Sequence, residues 1–246
     1  MYPAGRRQEG NMRLDKYISQ TGTASRKECA RAARAGLILV NGIAVRDVSA
    51  HIDENSAEVV FCGKTVRWSQ FTYVMLHKPA GVICTTEDTP RSVMRLLPPE
   101  FSRRGMFPCG RLDVDTVGLL LITNDGPLAH VLLSPKHHVE KVYIYMCDPP
   151  ITSQQLERLE AGVDIDGYLT KPARVEEESS CRGRITVTEG KYHQIKRMFA
   201  AVGSKIVFLK REQFGPLVLD PTLTEGTWRY LTDAEIAALV RLKKNL

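Results

Sequence analysis

The sequence contains no long hydrophobic run. No stretch approaches the roughly 18 uncharged apolar residues that a membrane-spanning helix requires, although hydrophobic residues make up 43% of the 246-residue chain and charged residues 25%. The first ten residues, MYPAGRRQEG, are polar and lack the apolar segment of a secretory signal. We therefore expect a cytoplasmic, globular protein with no membrane partner.

Closely spaced cysteines are also absent. The six cysteines lie at least 22 residues apart, so no C-x-x-C pair indicates a zinc ribbon or a dithiol redox centre. The chain has neither an internal repeat nor a low-complexity tract. We expect the cysteines to be reduced thiols that mostly contribute to packing.

Positive charge is present in excess, and it is confined to one end of the chain. The formal net charge is +6. Residues 1–46 hold nine Lys or Arg and three Asp or Glu, whereas the remaining residues hold 25 of each sign. A basic end invites a polyanionic partner.

A basic helix is predicted within this end. Ser25 and Glu28 have the spacing of a capping box, and Gly36 is positioned to end the helix. At 100° per residue, four basic side chains fall on one face, and Cys29 with two alanines falls on another. The four basic residues, which we interpret as candidate RNA-binding residues, are Arg26, Lys27, Arg31 and Arg34.

A β-hairpin is predicted directly after this helix. The runs LILV and IAV flank Asn41-Gly42, and Asn-Gly suits the positive φ angles of a tight turn. With the hairpin included, the run RLDKYISQTGTASRKECARAARAGLILVNGIAV resembles the alpha-L, or S4-like, RNA-binding domain. The resemblance implies that the basic helix contacts RNA, whereas a basic helix alone is more often a solvated surface.

Beyond Gln70 the composition changes to short β-rich runs separated by Gly, Pro and Asn-Asp turns. Fewer segments have helical patterns. Many strands with scattered helices indicate an α+β domain with a mainly antiparallel sheet. The strand candidates are YVMLHK, GLLLIT, KVYIYM, RITVTE and KIVFLKRE, and the helix candidates are LAHVLLS, SQQLERLEAG, YHQIKRMFAAVG and DAEIAALVRLKK.

Two carboxylates precede the most hydrophobic of these strands. Asp113 and Asp115 lie in GRLDVDTVGLLLITNDG, just before a continuous apolar run. A carboxylate at the mouth of a rigid strand is well placed for nucleophilic or acid–base chemistry. The spacing alone also permits a turn aspartate that bonds its own backbone or a D-x-D metal site. The metal site is the weaker alternative, because no histidine or third carboxylate at ligand spacing adjoins the pair.

The same segment resembles the catalytic motif of the RsuA-type pseudouridine synthases. Three further segments match that family in order: HKPAGVICTTED, HHVEKVY with its Lys-x-Tyr, and EGKYHQIKRMFAAVG with a hydrophobic residue followed by a basic one. The resemblance spans nearly the whole chain. It implies isomerisation of uridine to pseudouridine in ribosomal RNA, a reaction that breaks the C1′–N1 bond and rejoins the base through C5 without any cofactor.

The resemblance also implies roles for individual residues. Asp113 would be the catalytic carboxylate, and Tyr143 would lie against a base flipped out of the RNA and assist proton transfer. Lys196 would keep Asp113 ionised, and Ile195 would form a wall of the pocket. The remaining candidates for substrate positioning are Arg111, Lys141, His193 and Arg197, for which a solvated surface position is an equal alternative.

Two domains are therefore expected, an S4-like module over residues 12–70 and a catalytic domain over residues 71–246. Within the family, the segments GKYHQIKRMFAAVG and FLKREQFGPL most resemble the enzymes that act on one uridine of 16S ribosomal RNA. The resemblance implies this target, either free or in a partly assembled small subunit, and we expect a monomer. Three alternatives remain open: a 23S enzyme of the same family, a non-catalytic assembly factor that binds RNA, and a metal-dependent phosphotransfer enzyme.

Overall fold

The computed structural model describes residues 11–245, which form two compact units. The first unit is formed by two separate stretches of the chain, and so is the second. The first unit consists of the described residues up to Gln70 together with Pro98–Met106, and the second consists of Phe71–Leu97 and the residues from Phe107 onward.

The first unit contains short strands and three helices. Strands β1 and β4 pair with each other, and the other strands form a four-stranded antiparallel sheet in the order β3-β2-β5-β6. Its elements are β1 (Asn11–Arg13), α1 (Leu14–Gln20), α2 (Arg26–Arg34), β2 (Ile38–Val40), β3 (Ile43–Ala44), β4 (His51–Asp53), β5 (Val59–Phe61), β6 (Lys64–Val66) and α3 (Pro99–Arg103).

Helix α2 begins where the capping box predicts. The Ser25 hydroxyl accepts a hydrogen bond from the Glu28 amide at 3.3 Å, and the Glu28 carboxylate accepts one from the Ser25 amide at 2.7 Å. Cys29 and two alanines of the helix are buried in the core of the unit. The predicted helix and its two faces are confirmed, because the four basic residues are all exposed.

The predicted hairpin after α2 is also confirmed. Asn41 and Gly42 connect β2 to β3 with φ angles of 51° and 78°. Both angles lie in the left-handed region, which asparagine and glycine tolerate better than other residues do. The turn therefore follows directly from the two residues that form it.

The second unit is built on one large sheet. Each strand and helix predicted for this part of the chain is present, with bounds that differ by a few residues. Its elements are β7 (Tyr73–Lys78), β8 (Phe107–Pro108), β9 (Val117–Thr123), α4 (Gly126–Leu133), β10 (Lys141–Asp148), α5 (Ser153–Ala161), β11 (Arg174–Ser179), β12 (Arg182–Val187), α6 (Gln194–Ala201), β13 (Lys205–Phe214), β14 (Leu217–Val218), β15 (Trp228–Tyr230) and α7 (Asp233–Asn245).

The strand order of this sheet is β11-β12-β10-β13-β9-β7-β15, with β8 paired to β9 and β14 paired to β13. Only β13 and β9 are parallel among these pairs. The expected α+β class with a mainly antiparallel sheet is thus confirmed. The parallel pair places the start of β9 beside the middle of β13, and the chain enters β9 from the loop that carries Asp113 and Asp115.

The core of the second unit immobilises β9. All seven residues of this strand are buried. Leu119 and Leu121 pack in one cluster with residues of helices α4 and α7, such as Leu132 and Leu239. Because fully burying a leucine side chain contributes about 1.5 to 3 kcal/mol, the strand gives the preceding loop a rigid anchor.

None of the helices within residues 11–245 combines the length and hydrophobicity that a membrane crossing would need. The polar segment 1–10, in which the sequence predicts no secretory signal, lies outside the described residues.

Candidate active site

The loop between β8 and β9 brings the carboxylate of Asp113 to the surface of a cavity. The amide of Thr116 donates a hydrogen bond to the Asp113 carbonyl at 3.2 Å, which closes a turn around the two aspartates. The side chain of Asp113 is 25% exposed, whereas that of Asp115 is 73% exposed. Asp113 is therefore the more enclosed of the two carboxylates.

A fully buried lysine holds this loop from beneath. Lys78, at the end of β7, is 0% exposed. Its ammonium group donates to four carbonyl oxygens at 2.9 to 3.3 Å, and burial lowers its pKa. The four acceptors are the carbonyl oxygens of Pro79, Asp113, Val114 and Thr116. Lys78 thus holds the backbone of the loop in place, and the position of the Asp113 carboxylate depends on that backbone.

Replacing Lys78 by methionine should distort this loop more than the rest of the unit. The substitution keeps the volume but leaves buried carbonyl groups without a donor, at a cost of roughly 1 to 3 kcal/mol for each group that finds no other partner. We expect a lower free energy of unfolding and a fall in turnover of more than tenfold. Denaturant unfolding and kcat measure the two effects. Lys205→Met, at an exposed lysine, is the control. If Lys78→Met is destabilised but its turnover is unchanged, Lys78 has no role in positioning the site.

A glycine permits the close approach of β9 to β13. Gly118 has a φ angle of 109°, and a Cβ atom at this position would lie 2.3 Å from the carbonyl oxygen of Arg211. No other residue fits there without moving the backbone. The G-L-L-L part of the motif is therefore a packing requirement that sets where the aspartate loop meets the sheet.

Lys196 lies between the two carboxylates of the loop. It occupies the first turn of α6, and its ammonium group is 3.1 Å from Asp113 Oδ2 and also bonded to Asp115 Oδ1. His193 approaches from the same side, with Nε2 3.5 Å from Asp113 Oδ1. His193, the residue before α6, thus completes a cluster of four side chains, which are those of Asp113, Asp115, His193 and Lys196.

The charges of this cluster stabilise one another. Burial lowers the pKa of Lys196, but the hydrogen bonds to Asp115 and Asp113 outweigh burial and raise it overall. The bond from Lys196 also lowers the pKa of Asp115. At 3.1 Å and an effective dielectric of 20, the gross attraction between Lys196 and Asp113 is about 5 kcal/mol before desolvation is subtracted.

The carboxylate pair of the D-x-D sequence is thus compensated by an ammonium group. Within the described residues, no three His, Cys, Asp or Glu side chains are grouped so as to hold a metal ion. The observed partner of both Asp113 and Asp115 is Lys196.

Two adjoining cavities meet at this cluster, and the larger has a volume of about 720 Å³. Asp113 and Tyr143 line both. Tyr143 lies on β10 with its side chain on the same face as Tyr145, as the alternation of the strand predicts. The larger cavity falls within the range of 300 to 1,000 Å³ that is usual for ligand sites. The same cavity is therefore lined by the carboxylate and by the aromatic ring.

The predicted site residues differ in how they reach these cavities. Ile195 and Lys196 line the smaller cavity, Lys141 lines the larger, and the exposed Arg111 and the half-exposed His193 line both. Lys141 is buried rather than solvated.

Arg197 lines neither cavity. Its guanidinium group donates to the carbonyl oxygen of Ile165 at 2.7 Å and to Asp166 at 2.6 Å. Consecutive residues of a helix point about 100° apart, so Arg197 leaves the face on which Lys196 reaches Asp113. The structure does not bring Arg197 to the substrate side of the site.

Two buried residues besides Lys78 line or support the site and were not predicted from the sequence. Arg211 lines the larger cavity and is 2% exposed. Glu189 lines both cavities, and its carboxylate accepts hydrogen bonds from Tyr168, from the amide of Lys171 and from Gln194. Neither residue carried a distinct sequence signal, because Arg211 lies in the charged run KRE and Glu189 follows a strand that itself contains two arginines.

Two models of known protein families match this chain, each over a different range. Residues 72–201 match the family model described as RNA pseudouridylate synthase. Residues 12–57 match the S4 domain. The family model thus covers the loop of Asp113, the strand of Tyr143 and the first turn of α6.

Full-length relatives agree with the family models. The chain is 45% identical to an uncharacterized RNA pseudouridine synthase of Bacillus subtilis, over 93% of this chain and 98% of the relative. It is 39% identical to ribosomal small subunit pseudouridine synthase A of Vibrio cholerae, over 93% and 99%. A crystal structure of a pseudouridylate synthase superimposes with a TM-score of 0.66 at 37% identity, covering 93% of this chain and 99% of that chain. The chain therefore belongs to the RNA pseudouridylate synthase family and carries an S4 domain ahead of its catalytic domain.

Proposed function

We propose that this pseudouridine synthase modifies one uridine of 16S ribosomal RNA, with Asp113 as its nucleophile. The observation that carries the proposal is the pairing of Asp113 with Lys196 at a cavity that Tyr143 also lines. A carboxylate, a cation paired with it and an aromatic ring are the parts that this isomerisation needs.

The reaction requires the uridine to leave the RNA stack. Flipping a nucleotide costs a few kcal/mol, which stacking inside a pocket offsets in part. In this proposal the uracil lies against Tyr143, and Ile195 closes the pocket beside Lys196. Asp113 then attacks the base or C1′, or assists glycal formation, and all three routes end with the same atoms joined through C5.

Two features support a small-subunit target. Relatives at 38% and 39% identity, from Escherichia coli and Vibrio cholerae, carry the name ribosomal small subunit pseudouridine synthase A. The segment GKYHQIKRMFAAVG resembles the enzymes of that substrate class. A protein with this substrate would work in the cytoplasm, on RNA that is free or within a partly assembled small subunit.

The test is to incubate the purified protein with 16S and 23S ribosomal RNA transcripts and to map pseudouridine in each. We expect one modified uridine in 16S RNA and none in 23S RNA, with the same yield when EDTA is present. Modification of 23S RNA alone would contradict the target, and a loss of activity with EDTA would contradict the metal-independent course. A partly assembled small subunit used as a third substrate shows whether ribosomal proteins are required.

The exposed basic face of α2 should provide affinity and register. Phosphate contacts carry no base information but position the target. Replacing Arg26, Lys27, Arg31 and Arg34 together by alanine should make the negative slope of log affinity against log salt less steep, by roughly 0.7 to 0.9 for each lost contact. The kcat at saturating RNA should change little. The control is Lys64→Ala with Arg67→Ala, two exposed residues of the same unit outside the helix. An unchanged slope in the quadruple variant would mean that the face is only solvated.

A further inference from the structure

Two buried cations line the larger cavity, and the proposed mechanism does not use them. Lys141 on β10 is 8% exposed and Arg211 on β13 is 2% exposed. Arg211 is the cross-strand partner of Tyr143, and Lys141 lies two residues before Tyr143 on its strand. All three side chains line the cavity that contains Asp113.

No carboxylate in the described part of the chain forms an ion pair with either cation. The ammonium group of Lys141 donates to the Val139 carbonyl at 2.7 Å and lies 5.5 Å from the centre of the Phe214 ring. Arg211 Nε donates to the Leu119 carbonyl at 2.7 Å, and its guanidinium carbon lies 4.9 Å from the centre of the same ring. The Nη2 atom of Arg211 is buried without a hydrogen-bond partner.

Glu189, the acid that lines this cavity besides Asp113, is already engaged in hydrogen bonds. The carboxylate of Glu189 accepts three hydrogen bonds from groups other than these cations. Burial and the nearby charge of Arg211 lower the pKa of Lys141 to about 8. Two like charges that are buried without a counter-ion are costly for a folded protein and are typical of ligand sites.

We propose that Lys141 and Arg211 together bind an electron-rich oxygen of the target nucleotide. This inference rests on the proposed function, because the cavity is the one in which Asp113 and Tyr143 meet. The oxygen belongs either to the phosphate on the 5′ side of the target uridine or to a carbonyl of its uracil. Both are acceptors for a guanidinium and an ammonium group.

The first test measures KM and kcat on a short RNA that contains the mapped uridine. Because a hydrogen bond to a charged group contributes about 1.5 to 3 kcal/mol, Lys141→Met should raise KM by roughly 10- to 150-fold. Lys141→Arg keeps the charge and should stay within about threefold of wild type. Arg211→Gln should also raise KM, and the control is Lys205→Met, an exposed lysine that lines neither cavity.

A pH profile separates binding from a structural role. The ionisable groups that act on Lys141 are Arg211, Cys109 and Glu189, and burial raises the pKa of Cys109 to about 12. Lys141 loses its proton as the pH rises through about 8, so KM of the wild type should increase above that pH. This increase should be absent in Lys141→Arg, whose guanidinium stays charged.

The two sources of the oxygen are distinguished with a neutral methylphosphonate on the 5′ side of the target uridine. If the phosphate is the ligand, the methylphosphonate weakens binding to the wild type, and Lys141→Met weakens it no further. If a uracil carbonyl is the ligand, the effects of the methylphosphonate and of Lys141→Met on binding multiply.

The inference is overturned if wild type modifies the RNA while Lys141→Met and Arg211→Gln keep its KM, kcat and pH profile. A wild type that is inactive on all ribosomal RNA would contradict the proposed function instead. If Lys141→Met fails to fold, Lys141→Arg and its pH profile decide.

Discussion

Asp113→Asn is expected to lower kcat for pseudouridine formation by about 10⁴-fold or more, because an amide of the same shape cannot act as the nucleophile. The fold should persist, since Lys196 keeps a carboxylate partner in Asp115 after the charge of Asp113 is removed. RNA affinity should change little, because the S4 domain is untouched. Single-turnover rates, with denaturant unfolding and RNA titration of the same variant, measure the three quantities.

Asp115→Asn is the matched control for this prediction. The Asp115 side chain is 73% exposed, and its loss leaves Lys196 paired with Asp113 at 3.1 Å. We expect a rate within about tenfold of wild type, since less than 1.4 kcal/mol of transition-state stabilisation is then lost. Near-wild-type turnover by Asp113→Asn, or equal losses in the two variants, would remove Asp113 from the role of nucleophile.

Tyr143→Ala should reduce both productive binding and turnover, whereas Tyr143→Phe should chiefly slow the chemical step. Stacking of a base on an aromatic ring contributes roughly 1 to 3 kcal/mol, so the alanine variant should raise KM by about 5- to 150-fold. Phenylalanine retains the ring and removes only the hydroxyl group. Steady-state kinetics on the mapped RNA give KM and kcat for each variant.

Tyr145→Phe is the control for the tyrosine experiment. Tyr145 lies on the same face of β10 but lines neither cavity, and its ring packs 4.8 Å from that of Phe199. Removing its hydroxyl group should leave KM and kcat unchanged. If Tyr143→Ala and Tyr143→Phe also show wild-type kinetics, Tyr143 is a core residue and the base stacks elsewhere.

Local sequence signals predicted much of the fold because their physical causes are local. The capping box of Ser25 and Glu28 needs only residues three apart, and the Asn41-Gly42 turn needs only two adjacent φ angles. The buried strand β9 was recognisable from its own apolar run. For the same reason, the aspartates just before that run could be predicted to lie at a strand mouth.

The buried cations could not be predicted in this way. Lys78 ends a strand, where a solvated lysine is common, and its acceptors include carbonyl groups 35 to 38 residues later in the chain. Arg211 lies in the charged run KRE, which the sequence alone suggests is surface. Its burial follows from the pairing of β13 with both β10 and β9. These contacts exist only in the tertiary structure.

The same limit explains the details of the charge cluster. The sharing of Lys196 between Asp113 and Asp115 depends on where α6 begins relative to the loop. The divergence of Arg197 toward Asp166 depends on the rotation of that helix. The family motif indicates which residue types belong to the site, whereas their pairing is a property of the fold.

The most direct test is to map pseudouridine across all ribosomal RNA of cells that lack the gene and of the same cells supplied with wild type or with Asp113→Asn. We predict that one pseudouridine of 16S RNA disappears on deletion, returns with wild type and does not return with an equal amount of Asp113→Asn protein. Restoration by Asp113→Asn, or an unchanged set of 16S pseudouridines in the deletion, would contradict the assignment of Asp113 to this reaction on this RNA.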